Sequence, residues 1–146
     1  MRRIDMIVIH CTATRADAPL SPAALERMHR SKGFRCCGYH YYVRTDGTVF
    51  PMRPLEQAGA HAKGFNASSV GVAYEGGLDD CGRPADTRTD AQKRALRQTV
   101  EELSARFPAA RILGHRDLSP DADGSGAVEP DEWTKMCPCF DVSGEF

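Results

Sequence analysis

Apolar and polar positions along the chain follow two different periods. The run "IDMIVIHCT" is almost continuously apolar and rich in β-formers, the pattern of a buried strand, and it delivers His10 at its end, where α/β proteins commonly place chemistry. "SPAALERMHRSKGF" instead sets Leu25, Met28 and His29 on one face, with Ser21 as N-cap, Pro22 as first helical residue and Gly33 as the stop. This predicts a short amphipathic helix. "YHYYVRTDGTVFPM" has two β-rich runs around Thr45-Asp46-Gly47, a hairpin signal, and its alternation predicts Tyr39 and Tyr41 on one face with His40 and Tyr42 on the other.

The glycine-bearing segment "AGAHAKGFNASS" reads as a loop carrying His61, Lys63 and Asn66, and "SVGVAYEGG" returns to strand character before the turn-rich "LDDCGRPADTR". The longest helix is "TDAQKRALRQTVEELSARF", opened by a capping box of Thr89 and Gln92, with Ala95, Leu96, Val100, Leu103 and Phe107 spaced to face a sheet. "ARILGHRDLSP" is a short strand ending in His115, after which strong periodicity is lost. The sequence has no repeat, low-complexity tract or linker, so the expectation is one α/β domain over residues 1–146: a mixed central sheet flanked by helices, with an acidic loop inserted at about 119–133.

Composition narrows the function classes. A chain of 146 residues, 41% hydrophobic and 27% charged with a formal net charge of −1, gives no electrostatic reason to bind nucleic acid or an anionic membrane. No segment approaches the ~20 apolar residues of a membrane-crossing helix. The opening "MRRIDMIVIHCTAT" has its apolar run interrupted by Asp5 and His10, unlike a signal peptide, so synthesis in the cytoplasm is expected. Without an export signal, the six cysteines suggest reduced thiols or metal ligands more than a disulfide framework.

Two constellations carry candidate chemistry. Catalytic zinc takes three protein ligands and keeps a fourth position for water, a set that His10, His115 and one late cysteine, Cys137 or Cys139, can supply. In "PDADGSGAVEPDEW" the spacing from Asp121 fits a calcium loop: Asp121, Asp123, Ser125, the Ala127 carbonyl and Glu129 ahead of Glu132 at the twelfth position, with Gly126 at the sixth. The preceding "GHRDLSP" does not resemble an entering helix, and an acidic surface turn is the competing reading.

The ordered set "VIHCTAT", "GYHYYVRTDGTV", "GAHAKGFNASSVGV", "TDAQKRAL", "ILGHRDLSP" and "KMCPCFD" resembles the zinc-dependent N-acetylmuramoyl-L-alanine amidases of the phage-lysozyme type, relatives of the peptidoglycan-recognition proteins. The resemblance runs from about Ile7 to Asp141. It implies zinc on His10, His115 and Cys137, with Tyr39 and Lys135 as the catalytic pair. It also implies a substrate groove walled by His61, Lys63 and Asn66. Some relatives place a glutamate general base where Ala73 stands here, which leaves Tyr39 and Lys135 as the better candidates and Glu75 as an outsider.

The function so implied is cleavage of the amide between the lactyl group of N-acetylmuramic acid and the L-alanine of the stem peptide. Amide hydrolysis builds negative charge on the carbonyl oxygen, which zinc, a phenol and an ammonium group can stabilise. The expected partner is peptidoglycan or a muropeptide, met by a monomer that reaches the wall through lysis or a helper pore. A non-catalytic peptidoglycan-binding protein on the same fold and a different zinc hydrolase are the rival readings.

Overall fold

Every residue of Met6–Cys11 is buried, and this run forms β1, the strand on which the structure is built. The computed structural model describes residues 1–146. Its further elements, in chain order, are β2 (Thr14–Arg15), α1 (Pro22–Ser31), β3 (Tyr41–Val43), β4 (Val49–Pro51), β5 (Ser69–Tyr74), β6 (Gly77–Leu78), α2 (Asp90–Arg106) and β7 (Arg111–Gly114). Five strands share one sheet in the order β4-β3-β5-β1-β7, and β2 pairs with β6 in a small second ladder. β1 runs parallel to β5 and β7, β3 runs parallel to β5, and only the β3–β4 hairpin is antiparallel.

The sheet is mixed and central, as the hydrophobic pattern implies. Being buried on both faces explains why β1 and β5 read as continuous apolar runs.

Alternation along the strands separates two faces. Ile7, Ile9, Val70, Val72 and Tyr74 meet Ala95, Leu96, Val100 and Leu103 of α2 in the larger core. Each fully buried aliphatic side chain there contributes roughly 1.5–3 kcal/mol. On the opposite face, Leu25 of α1 packs with Cys37 and Tyr42.

Both helices start as their caps dictate. Ser21 Oγ accepts from Ala24 N–H at 3.1 Å. Thr89 Oγ1 accepts from Gln92 N–H while Gln92 Oε1 accepts from Thr89 N–H, both at 3.0 Å. The Gln92 amide then donates to the Glu75 carbonyl at 2.9 Å, which ties the start of α2 to the end of β5.

Two expectations about side-chain faces need correction. Tyr39 does not share a face with Tyr41: Tyr41 packs on the α2 side, whereas Tyr39 packs beside Tyr42 on the α1 side. Regular strand begins only at Tyr41, so the two-residue alternation does not extend back to Tyr39. Met28 is 36% exposed, because Leu25 and His29, one turn apart, are the residues of α1 that face inward.

Candidate metal centre

The parallel strands bring the chemistry to their C-terminal ends. His10 is the fifth residue of β1, and His115 follows the last residue of the neighbouring β7. Cys137 arrives from the irregular C-terminal segment, where its carbonyl accepts from Arg116 N–H at 2.9 Å and its Sγ accepts from Cys11 N–H at 3.2 Å. The result is three donor atoms, from His10, His115 and Cys137, within 4.8 Å of one another. The His10 and His115 ring centroids lie 4.4 Å apart, and His10 Nδ1 is 3.8 Å from Cys137 Sγ.

The electrostatics suit a cation. Burial holds His10 well below the usual imidazole range, helped by the neighbouring His61 and His115 rings and by Lys135. Burial, then the Lys135 ammonium, lowers His115 to about 4. Both rings are therefore neutral at pH 7 and keep a lone pair for a metal. Two imidazoles and one sulfur at this spacing are a donor set suited to holding a metal ion.

These residues line a groove of about 460 Å³ that also includes Tyr39, His61 and Lys135. The Tyr39 ring centroid is 5.1 Å from that of His10, and its hydroxyl is 3.5 Å from the Cys11 carbonyl. Burial, then the sulfurs of Cys137 and Cys11, raises the Tyr39 phenol well above its ordinary range, so it is a proton donor at neutral pH. Lys135 is exposed at the rim, between this groove and an adjoining hollow lined by Lys63, Phe65 and Thr134.

The remaining candidates fall in several places. Cys139 Sγ lies 3.9 Å from Cys11 Sγ and 3.4 Å from the Gly77 carbonyl, outside the three-donor cluster. Asn66 Oδ1 accepts from the backbone N–H groups of His61 and Ala62, both at 2.9 Å, so its acceptor serves the loop. His61 is buried under the groove, with Nδ1 2.8 Å from His10 Nε2, a contact no sequence spacing signals. His29 is also buried; its Nδ1 accepts from Gly38 N–H at 2.7 Å and its ring lies 5.1 Å from that of Tyr39.

Ala73 sits beside His10 in the β1–β5 register and is fully buried. Glu75 is engaged elsewhere: it pairs with Arg44 and accepts from the N–H groups of Leu20 and Thr45.

In the inserted loop, carboxylate oxygens of Asp121, Asp123 and Glu132 come within 4.8 Å of one another. Asp121 accepts from Gly126 N–H, Asp123 from Ser125 N–H, and Glu132 from the N–H groups of Asp123 and Glu129. Ser125 Oγ donates to the Ala127 carbonyl at 3.0 Å. The loop is closed at its base, where Thr134 N–H donates to Ser119 Oγ at 3.1 Å and the Arg116 guanidinium lies 3.7 Å over the Trp133 ring.

Residues 1–138 match the family described as N-acetylmuramoyl-L-alanine amidase. The endolysin of Klebsiella phage KP32 is 35% identical over 138 residues, covering 94% of this chain and 82% of its own. Among solved structures, the N-acetylmuramoyl-L-alanine amidase LysC from Clostridium intestinale URNW superposes with a TM-score of 0.74 at 26% identity, over 96% of this chain and 79% of that one. Drosophila PGRP-LB shares the fold with a TM-score of 0.70 at 18% identity, over 94% of this chain and 76% of its own.

Proposed function

Because this chain belongs to the N-acetylmuramoyl-L-alanine amidase family, we propose that it is a zinc-dependent enzyme of the endolysin type. Its reaction is hydrolysis of the amide between the lactyl group of N-acetylmuramic acid and the L-alanine of the stem peptide. The observation that carries this reading is the convergence of His10, His115 and Cys137 at the floor of a groove bordered by Tyr39 and Lys135.

Zinc on His10, His115 and Cys137 supplies Lewis acidity, polarising a carbonyl and lowering the pKa of water. The chain's own groups do the rest. Tyr39, kept protonated, donates a hydrogen bond to the amide oxygen as negative charge develops there, and the Lys135 ammonium adds a second stabilising charge from the rim. The groove adjoins the Lys63 hollow at Lys135 and accommodates peptidoglycan or a muropeptide, with Lys63 as a further exposed cation lining that hollow. The site of action is the cell wall, and the working unit is a monomer. None of its helices is long and apolar enough to cross a membrane.

The proposal extends to calcium in the 121–132 loop, through Asp121, Asp123 and Glu132 with Ser125 and the Ala127 carbonyl as further oxygen donors. Its role there is structural, outside the chemistry.

Purified cell walls incubated with the zinc-loaded protein should release new L-alanine amino termini. Release should stop on zinc removal and return when zinc is restored. A zinc-loaded, folded protein that releases none overturns the reading.

A further inference from the structure

The proposed reaction uses one nitrogen of His10; the other is 2.8 Å from His61 Nδ1, with the two rings perpendicular and their centroids 4.9 Å apart. Two neutral imidazoles facing each other in this way share one proton: either ring can donate, and the other must then accept. The second nitrogen of His61, Nε2, lies 3.3 Å from the Ser69 hydroxyl.

The His61 ring is held in this pose by close-fitting surroundings. A Cβ at Gly71 would come within 2.7 Å of the ring, and one at Gly59 within 2.5 Å of its Cδ2. The His61 backbone N–H is fixed on Asn66 Oδ1. Two glycines thus leave room for one imidazole beneath the groove, and a larger residue at either place would displace it.

We propose that His61 is a positioning residue that sets the tautomer of His10, an inference that rests on the zinc reading above. A lone pair on His10 Nδ1, the nitrogen facing Cys137, requires the proton on Nε2. His10 then donates to His61 Nδ1, which leaves the His61 proton on Nε2, donating to Ser69 Oγ. On the zinc reading each proton along His10, His61 and Ser69 then has one place, the Ser69 hydroxyl acting as the acceptor.

Metal-binding histidines usually lean on a carboxylate or a carbonyl, which can only accept. A histidine in that place can do either, so it selects the right tautomer only while its own second nitrogen is occupied. Ser69, buried at the start of β5, is the hydroxyl placed to accept from that nitrogen.

The first test is on metal-free protein, where long-range proton–nitrogen correlation spectra of the ring nitrogens report each tautomer. The expected result is His10 protonated on Nε2 and bare on Nδ1; a proton on Nδ1 overturns the inference. The second test is zinc affinity, measured by competition with a chromophoric chelator. His61→Leu should bind zinc about 10- to 100-fold more weakly. His61→Asn, whose amide oxygen can accept near the Nδ1 position, should recover most of that loss. A folded His61→Leu with wild-type affinity, or a His61→Asn no better than His61→Leu, counts against it. Should His61→Leu not fold, the wild-type tautomer and His61→Asn decide. A wild-type protein that binds no zinc overturns the proposed function, whereas the metal-free tautomer still judges His61 by itself.

Discussion

Cys137 and Cys139 stand two residues apart, yet their sulfurs have different neighbours. Cys137 joins His10 and His115, while Cys139, whose backbone has a φ of 69°, places its sulfur against Cys11 and the Gly77 carbonyl. Cys137→Ser should therefore abolish stoichiometric zinc binding, and Cys139→Ser should retain it; metal analysis of the two purified variants checks this. Residue types and spacing left either sulfur available and only the family resemblance favoured Cys137, because a left-handed backbone at a non-glycine residue is set by the surrounding chain and not by spacing. Tyr39→Phe should lower kcat by about 10²-fold, the scale of losing one donor to a developing oxyanion, with zinc content unchanged. Tyr39 was legible as a candidate through its "GYH" motif, but its face was not, because it lies before the regular strand. His61 was visible as a loop histidine; its partner, 51 positions earlier in the chain, required the fold.

Between elements, one well-connected side chain is Glu75, buried just after β5. It pairs with Arg44 at 3.1 Å and accepts from Leu20 and Thr45 N–H, so it joins the entrance to α1 and the hairpin turn to the central sheet. Burial alone would raise its pKa, but the Arg44 guanidinium and the two N–H groups outweigh burial and leave it lowered. Its stabilisation is thus fully present above the unfolded carboxyl value of ~4.3 and is lost as pH falls through the lower folded value. Glu75→Gln should cost about 2 kcal/mol at pH 7, and the gap from wild type should narrow as pH falls below ~4. Chemical denaturation across pH measures both. The helices were the most legible elements because caps are local: Thr89→Ala should cost about 1 kcal/mol by removing the hydroxyl that receives Gln92 N–H. The strand order β4-β3-β5-β1-β7 was not legible, since it is decided by contacts between segments far apart in the chain.

At the scale of the whole molecule, the acidic loop is an excursion from a frame that closes beneath it. Calcium should raise the melting temperature of the zinc-loaded protein, and a calcium-selective chelator too weak to take zinc should reverse the rise; identical melting curves would remove calcium from the proposal. The loop's spacing was plain in the sequence, but its independence from the metal centre was not, because that depends on Ser119 meeting Thr134 and Arg116 covering Trp133. That clasp has a practical consequence. Changes of length and composition between Pro120 and Glu132 should leave the groove walls in place even where they remove the proposed calcium ligands, which zinc content of a loop-shortened variant checks. A wall-binding peptide or a fluorescent reporter spliced between Pro120 and Glu132 would hang outside the catalytic frame, making this turn a port through which the enzyme can be retargeted.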